Sequence, residues 1–361
     1  MARTHTQLRL AVLVMLSLAG LFPASLPAAS QKHASKAEKE RAASLPAVMW
    51  RNPGDVSKLN LFYGEGGRRE APDPHERFVF VKEDREGGSP KFDVVDQEGR
   101  TWRVKLGKES RPEVAATRLL WAAGYFVDLD YFIPELRVDN LPRLRRGEKF
   151  VSAGGIVHGA RLELRRKDVS NLGNWSWFHG AFDHTRQLNG LRVMMCLIDN
   201  WDLKKVNNSI YEEDGQRRFV VADLGSSFGR TGNYFTRSKG RLKDYSRARF
   251  VRDVDGNRVD FVMHSRPVFF FRFFHRADYR ERARIEQIGE GVPVADAQWI
   301  GHLLSGLSTT QLRDCFVAAG YDAETADEYA GVVEIRITEL NELQPRSSQK
   351  LSVYETDHPT Q

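Results

Sequence analysis

The stretch from residue 77 to residue 106 restricts the fold most, because it predicts three short strands joined by two tight turns. The strands are predicted in RFVFVKED, FDVVD and TWRVKLG, and the turns in REGGSPK and QEGR. Apolar residues alternate with polar ones along the strands, and glycines mark the turns. Connections this short join antiparallel neighbours, so the segment predicts an antiparallel sheet that needs a second layer to cover it.

A helix is predicted directly after the third strand, in KESRPEVAATRLLWAAGY. Pro112 suits its first turn, Glu113 suits the positive N-terminal end of the helix, and Gly124 suits its end. Beyond about residue 165 the apolar residues recur at helical spacing, as in HTRQLNGLRVMMCLIDNW and AGVVEIRITELNEL. A hairpin is predicted between these two helices, in SIYEEDGQRRFVVADLG. The predicted fold class is α+β, with a small antiparallel β lobe, a larger mainly helical lobe and a cleft between them.

The first thirty residues have the pattern of a secretory signal peptide. Arg3 and Arg9 precede an apolar run at residues 10–21, and small residues end the segment at positions 28–30. An uncleaved membrane anchor is the less favoured alternative, since a full span takes roughly 20 residues. No later stretch is apolar enough to cross a membrane, so we expect a secreted or periplasmic protein.

The rest of the chain divides where its composition changes. We expect the following segments: a polar tether and loop-rich extension at 31–75, the β lobe with its helix at 76–150, the helical lobe at 151–345 and a polar tail at 346–361.

Charge and cysteine content exclude several classes of protein. The formal net charge of +6 on 361 residues is a mild excess and does not indicate a nucleic-acid partner. Cys196 and Cys315 are the only cysteines, so neither a disulfide framework nor a cysteine-rich zinc site is predicted. Both are expected to be small core residues, with a single bridge as the alternative.

Five polar residues fall in chain order where a cleft between the lobes would form. Asp223 ends the apolar run FVVAD, where a buried charge without a partner would be costly. The other four are Lys105 in the third strand, Glu113 in the helix after it, and Asp202 and Asn207 in the stretch WDLKKVN. Their order, spacing and predicted secondary structure favour one shared site.

These motifs resemble those of protein kinases. DLKKVN is similar to the catalytic loop H-R-D-L-x-x-x-N, ADLGSS is similar to the D-F-G element with Leu224 in place of Phe, and RVKLG is similar to the V-A-I-K strand. The order of GGSPKF, hairpin, lysine strand and helix is similar to that of the HipA toxin kinases. The export signal has a parallel in atypical kinases of the eukaryotic secretory pathway. Asn200 and Trp201 replace the usual His and Arg, which suggests no dependence on a phosphorylated activation loop.

The resemblance implies a protein-kinase-like fold that binds ATP with Mg²⁺ or Mn²⁺ and transfers the γ-phosphate to a hydroxyl group. The acceptor would be a protein, a sugar or a small molecule. Asp223 and Asn207 would hold the metal, with Asn208 as a rival ligand. Asp202 would orient the acceptor hydroxyl and take its proton, with Asp199 as a rival base.

The remaining expected site residues would bind the phosphates of the nucleotide. Lys105 would bind the α- and β-phosphates and be held by Glu113, or by Glu109 as the alternative. Lys204 would reach the γ-phosphate. The turn expected to cover the phosphates contains Gly87, Gly88, Ser89 and Lys91.

Three alternatives to a kinase remain open from the sequence. The same fold could serve as an inactive pseudokinase scaffold, which the low ATP content expected of a periplasm would favour. It could transfer AMP instead of phosphate. An unrelated envelope binding protein could contain the Asp-Asn spacing by chance. The sequence does not indicate an oligomeric state.

Overall fold

A computed structural model describes residues 32–345, with the exception of residues 167, 267 and 270. The predicted signal peptide (1–30) and polar tail (346–361) lie outside the described residues. Within the described part of the chain, no helix combines the length and apolar character needed to cross a bilayer.

The described elements form two lobes. The strands are β1 (Lys32–His33), β2 (Ala47–Val48), β3 (Arg77–Asp84), β4 (Lys91–Val95), β5 (Thr101–Leu106), β6 (Asp130–Asp139), β7 (Val151–Ser152), β8 (Ile156–Leu164), β9 (Ser170–Gly173), β10 (Asn208–Glu213), β11 (Gln216–Val221), β12 (Val251–Asp255), β13 (Arg258–Phe261) and β14 (Val292–Pro293). The helices are α1 (Lys36–Ala42), α2 (Gly67–Glu70), α3 (Ser110–Ala122), α4 (Arg186–Leu197), α5 (Leu242–Tyr245), α6 (Phe271–Phe274), α7 (Arg276–Glu286), α8 (Val294–Leu304), α9 (Thr309–Ala318) and α10 (Ala323–Asn341).

The β lobe is a sheet that closes on itself. Its strand order is β5-β4-β3-β6-β8-β7, and β5 also pairs with β8. Strands β3, β4 and β5 form the predicted antiparallel meander. The pairing of β3 with β6 is parallel, a long-range contact that the sequence did not indicate. Phe78, Trp102 and Leu162 are fully buried inside the closed sheet. The predicted two-lobed α+β class is therefore confirmed.

The β lobe extends beyond the boundary predicted at residue 150. Strand β8 pairs antiparallel with both β5 and β6. Its residues Val157, Ala160 and Leu162 are fully buried in the core of the β lobe, which explains why the strand belongs there. The sheet of the β lobe therefore ends at residue 164.

Part of the predicted polar tether is folded. Ser35 and Glu38 form a reciprocal capping box at the start of α1, a signal present in the sequence as S-x-x-E. Ala42 is fully buried, and Arg41 lies 2.5 Å from a carboxylate oxygen of Glu212. Strands β1 and β2 pair with β9 and β11 of the helical lobe. The tether prediction is wrong for these residues, because the cap and the long-range pairing hold them against the lobe.

The helical lobe forms around α4, which is buried along most of its length. The predicted hairpin is present as β10 and β11, and the predicted C-terminal helical segment lies in α10, which packs with α8 and α9. Asp214 and Gly215 form the hairpin turn with φ of 51° and 69°, as a two-residue hairpin loop requires. Cys196 and Cys315 are both buried and unbridged, as expected of core residues.

A buried arginine joins α4 to α10 in the core of the helical lobe. The Arg336 guanidinium lies 3.1 Å from Asp199 Oδ2 and donates to the Leu197 carbonyl oxygen at 2.7 Å. It also donates to the carbonyl oxygens of Tyr245 and Ala248, both at 3.2 Å. One guanidinium group of α10 thus satisfies backbone carbonyl oxygens at the end of α4 and at and after the end of α5.

Replacing Arg336 with Met should lower the free energy of unfolding by about 3–5 kcal/mol, because it leaves the Asp199 carboxylate buried without its partner. The measurement is urea unfolding followed by circular dichroism. The matched control is Arg313→Met, since Arg313 forms a more exposed ion pair with Asp327 at 2.7 Å. The control should cost less than about 1 kcal/mol. Equal losses for the two variants would contradict a structural role for the buried pair.

Candidate functional site

Strand β5 places Lys105 on the outer face of the β lobe. Successive side chains of a strand point to opposite faces, so Trp102 and Val104 fill the interior while Lys105 lies outside. The Lys105 side chain is nevertheless buried, at 5% exposure, because α3 and the segment after β11 cover it. The strand therefore delivers a buried cation to the place where the two lobes meet.

Three carboxylates surround the Lys105 ammonium group. Its Nζ lies 2.6 Å from Asp223 Oδ1, 2.9 Å from Glu113 Oε2 and 2.9 Å from Glu109 Oε2. Burial alone would lower the pKa of Lys105, but the Glu113 and Asp223 carboxylates outweigh it and raise the pKa well above its ordinary value. The structure brings both candidate partners, Glu113 and Glu109, into contact with the lysine.

Arg161 holds Glu113 in place from strand β8. Its guanidinium lies 2.9 Å from Glu113 Oε1, and it also contacts Glu163 Oε2 at 2.7 Å and Asp130 Oδ1 at 3.1 Å. Arg161 lies opposite Lys105 in the β5–β8 ladder, so both cations face the same side of the sheet. The role of Arg161 was not predicted from the sequence. The only available signal was the alternation of GARLELR.

Glu109 links three segments at the entrance to the cleft. Its carboxylate accepts a hydrogen bond from Ser89 Oγ at 2.6 Å and pairs with Lys239, in addition to Lys105. Burial raises the pKa of Glu109, but the two lysines outweigh that effect and hold it well below the usual value. A Cβ at Gly225 would lie 2.5 Å from Glu109 Cβ, so only glycine fits at this position of ADLGSS.

The predicted phosphate-covering turn reaches the cluster through one side chain. Ser89 contacts Glu109, as described above. The Gly87 carbonyl oxygen instead accepts from Arg146 Nη1 at 2.6 Å, and Lys91 Nζ lies 3.6 Å from Asp84 Oδ2. Gly88 is exposed. Arg146 also donates to the Asp84 and Glu86 carbonyl oxygens, so it fixes the turn from a position that the sequence gave no reason to select.

Asp202, Asn207 and Asp223 are joined through the backbone. Asn207 Nδ2 donates to the Asp202 carbonyl oxygen at 2.6 Å, which leaves the Asn207 amide oxygen as the atom available to a metal. The Ala222 N–H donates to the Asn207 carbonyl oxygen at 3.1 Å, immediately before Asp223. Asp223 adopts a left-handed backbone with φ of 50° and has 47% of its side chain exposed. The loop and the end of β11 therefore form one unit.

The Asp202 carboxylate lies beside a buried arginine of α7. Asp202 Oδ1 is 3.2 Å from Arg282 Nη2, and the backbone N–H of Asp202 donates to Asn200 Oδ1 at 3.1 Å. Lys204 is not brought to the Lys105 cluster, because its Nζ pairs with Asp278 of the same helix at 2.9 Å. The sequence did not indicate Arg282, because a long and irregular segment separates it from Asp202 in the chain.

The rival residues in the same loop are buried away from solvent. Asp199 is 1% exposed and pairs with Arg336 inside the helical lobe, and Asn208 is 2% exposed. Asn208 Nδ2 lies 3.4 Å from the Trp175 carbonyl oxygen. Asp202 and Asn207 are both partly exposed, so this geometry favours them over their neighbours as groups that meet a ligand.

A separate cavity of about 630 Å³ lies at the opposite end of β5, beside Thr101. Asp128 lines it, and burial raises the pKa of this carboxyl to about 7, with a further rise from Glu163. Neither Lys105 nor Asp223 lines this cavity. Among the described residues, no group of three or more His, Cys, Asp or Glu side chains is arranged to hold a metal.

Among known proteins, the chain is similar to solved structures of two kinases. No protein-family model matches the chain, and no match was found among curated proteins. The structure of the Helicobacter pylori proinflammatory kinase CtkA matches 73% of this chain and 92% of its own, with 9% identity and a TM-score of 0.38. The Golgi casein kinase with Mn/ADP bound matches 84% of this chain and 79% of its own, with 10% identity and a TM-score of 0.39. A second structure of that kinase has 84% and 78% coverage, 11% identity and a TM-score of 0.39.

At such scores the likeness carries no argument about activity. The function is therefore inferred from the side chains that meet between the lobes.

The raised pKa of Asp128 predicts a specific pH dependence of stability. The native state binds this proton more tightly than the unfolded chain, whose Asp pKa is about 3.9. Wild-type stability relative to Asp128→Asn should therefore fall by at least about 1 kcal/mol as the pH rises from about 4 to about 7, and then level off. The measurement is urea unfolding of both proteins across this range.

Asp168→Asn is the control for this experiment, because Asp168 lines the same cavity but has 71% of its side chain exposed. Its stability difference from the wild type should not fall over the same pH range. Parallel stability curves for wild type and Asp128→Asn would show that Asp128 does not carry a raised pKa.

Proposed function

We propose that this protein is a metal-dependent phosphotransferase that moves the γ-phosphate of ATP to a hydroxyl group. One observation carries the proposal: the Lys105 ammonium of the β lobe lies 2.9 Å from Glu113 of α3 and 2.6 Å from Asp223 of the helical lobe. A buried cation that joins both lobes at a partly exposed carboxylate is suited to binding the phosphates of a nucleotide.

The charges around Lys105 can be redistributed when a nucleotide binds. Glu113 is buried and shared between Lys105 and Arg161, so it remains in place as the partner of the lysine. Asp223 is half exposed and is therefore the carboxylate able to exchange Lys105 for a metal ion. Lys105 would then donate to phosphate oxygens. Arg161 keeps Glu113 from being left as an uncompensated buried charge.

The residues that would hold a metal are Asp223 and Asn207, which supply one carboxylate oxygen and one amide oxygen. Mg²⁺ and Mn²⁺ accept oxygen ligands, and Mg²⁺ commonly takes one or two from the protein and the rest from phosphates and water. When bound, the metal would neutralise charge on the transferring phosphate. The hydrogen bond from Asn207 to the Asp202 backbone fixes the distance between these ligands and the proposed base.

Asp202 is the group that would orient the acceptor hydroxyl and accept its proton. Its carboxylate is partly exposed, and the adjacent Arg282 restricts its orientation. A contact of Lys204 with the γ-phosphate is also part of the proposal and requires its release from Asp278. The proposed acceptor is a protein, a sugar or a small molecule, and the proposed location is secreted or periplasmic, on the basis of the signal pattern in residues 1–30.

ATP with Mg²⁺ or Mn²⁺ should raise the thermal stability of the protein, and Asp223→Asn should remove that shift because the metal loses its carboxylate ligand. Saturation at about 100 times the Kd corresponds to roughly 2.7 kcal/mol. Asp214→Asn is a matched control, since Asp214 has φ of 51° against 50° for Asp223 but lies in the β10–β11 turn. An unchanged shift in Asp223→Asn would place the nucleotide elsewhere.

Asp202→Asn should keep the nucleotide-dependent thermal shift and reduce phosphate transfer by about 10²-fold or more, because the acceptor hydroxyl loses its base. Label transfer from γ-labelled and α-labelled ATP is measured in parallel, to the protein itself and to a panel of proteins, sugars and polyols. Transfer of the α label alone would show AMP transfer. A thermal shift without transfer of either label would favour the inactive-scaffold alternative.

A further inference from the structure

The outer side of α6 and α7 carries a row of arginines. Arg272, Arg276, Arg280 and Arg284 follow one another at a spacing of four residues, and all four are exposed. Residues four apart lie on one side of a helix, so within α7 the last three form a continuous stripe. We call this set of four residues the arginine face.

The arginine face has no acidic partner in the described part of the chain. None of its four guanidinium groups is within ion-pair distance of a described carboxylate, whereas Arg282 on the inner side of α7 pairs with Asp202 and Asp278. Glu281 is the exposed acid nearest in sequence on the same helix. Arg284 does stack on the ring of Phe178, 4.8 Å from its centroid, but this contact leaves its charge without a counter-ion. The face therefore presents an excess of positive charge that no described carboxylate neutralises.

Exposed phenylalanines border the arginine face. Phe269 and Phe273 are each 59% exposed, and Phe274 is 68% exposed. Single apolar residues on a surface are normal, but three large rings within six positions form a patch. A groove of about 640 Å³ is lined by all four residues of the arginine face and by Phe273 of this patch.

We propose that the arginine face and its bordering phenylalanines dock on a bilayer that contains anionic phospholipid. Helices that lie in the plane of a membrane interface combine basic side chains with Phe, Trp or Leu, and this surface has both in one place. Guanidinium groups bind phosphates of the headgroups, and the aromatic rings enter the boundary between headgroups and acyl chains. The partner is thus defined by an anionic layer that adjoins an apolar one.

The arrangement of the rings favours a membrane over a nucleic acid or an acidic protein. Phe269 and Phe273 pack edge to face, with centroids 5.7 Å apart and planes at 86°, and Arg272 lies 5.5 Å from the Phe269 centroid. The two phenylalanine rings thus form one exposed apolar cluster. Nucleic-acid bases stack on flat aromatic faces that are separate from one another. An acidic protein would neutralise the arginines but would not explain why Phe269 and Phe273 are exposed.

Docking would place the bilayer next to the acceptor end of the proposed site. The inner side of α7 contacts the candidate catalytic loop through Asp278, which pairs with Lys204, and through Arg282, which pairs with Asp202. The outer side of the same helix carries the arginine face. Resting on the proposed function, this geometry implies an acceptor presented at the membrane surface.

The experiment measures partition of the full chain onto vesicles of phosphatidylcholine alone and of phosphatidylcholine with phosphatidylglycerol. The test variant replaces Arg272, Arg276, Arg280 and Arg284 with Glu. The control variant makes the same charge change outside α6 and α7, at four exposed basic residues that form no ion pair with a described carboxylate: Lys39, Arg68, Arg143 and Arg145. Residues 10–21 are present in every variant, and binding to vesicles of phosphatidylcholine alone reports their contribution.

The test variant should bind the anionic vesicles about 30-fold or more weakly than wild type, whereas the control should lose much less, because each basic residue at the surface adds to the attraction. The double variant F269S/F273S should also bind more weakly while keeping the salt dependence. Circular dichroism melting checks that each variant is folded. Since no nucleotide is needed, a failure of the proposed kinase activity leaves this result unaffected.

Two outcomes would overturn the proposal. If the test and control variants lost vesicle affinity equally, binding would depend on net charge and not on a site at the arginine face. The other outcome comes from a competition experiment, in which polyglutamate or duplex DNA is added to the wild-type protein with vesicles. If either polymer binds through the arginine face while anionic vesicles do not, the surface recognises an acidic macromolecule instead.

Discussion

The arrangement of the two lobes depends on the ion pairs of the buried Lys105 ammonium group with the carboxylates around it. Removing a cation from water is unfavourable by several kcal/mol unless carboxylates surround it, and here they come from α3 and from the segment after β11. Each of those carboxylates in turn needs a cation, which Arg161 provides for Glu113 and Lys239 provides for Glu109. Breaking the pair of Lys105 with Glu113 would leave a buried charge, because both side chains are buried. Asp223 is half exposed and can release Lys105 without itself becoming a buried charge.

Closure of the β sheet makes this charged arrangement possible. Because the closed sheet buries its apolar residues inside, the outer face of β5 and β8 is available for charged side chains such as Lys105, Arg161 and Glu163. An open sheet of the same size would need an apolar layer on one of these faces. The pairing of β5 with β8 also places Lys105 opposite Arg161, so strand register determines which cation meets which carboxylate. Register and electrostatics thus support the same geometry.

The features predicted from the sequence were those encoded locally. The meander, helix α3 and the β10–β11 hairpin follow from alternation, helix-end residues and a two-residue turn, and the kinase motifs follow from spacing. The sequence did not indicate Arg161, Lys239 or Arg282, because their roles depend on contacts between segments distant in the chain. The parallel pairing of β3 with β6 was missed for the same reason. The capping box before α1 was a readable local signal, and the polar composition around it concealed it.

Helix α7 shows how one element can serve two surfaces. Asp278 and Arg282 are four residues apart and face the loop that contains Asp202. The arginines of the face that belong to α7 lie about 120–160° away from them around the helix axis. The loop has no arginine beside Asp202 in its own sequence, and Arg282 provides a guanidinium there from outside the loop. The pairing anchors α7 to the site, and a helix transmits position because its backbone hydrogen bonds make it stiff. Any ligand held on the outer side of α7 is therefore held at a fixed distance from Asp202. This gives the arginine face a geometric relation to the site that an irregular loop would not provide.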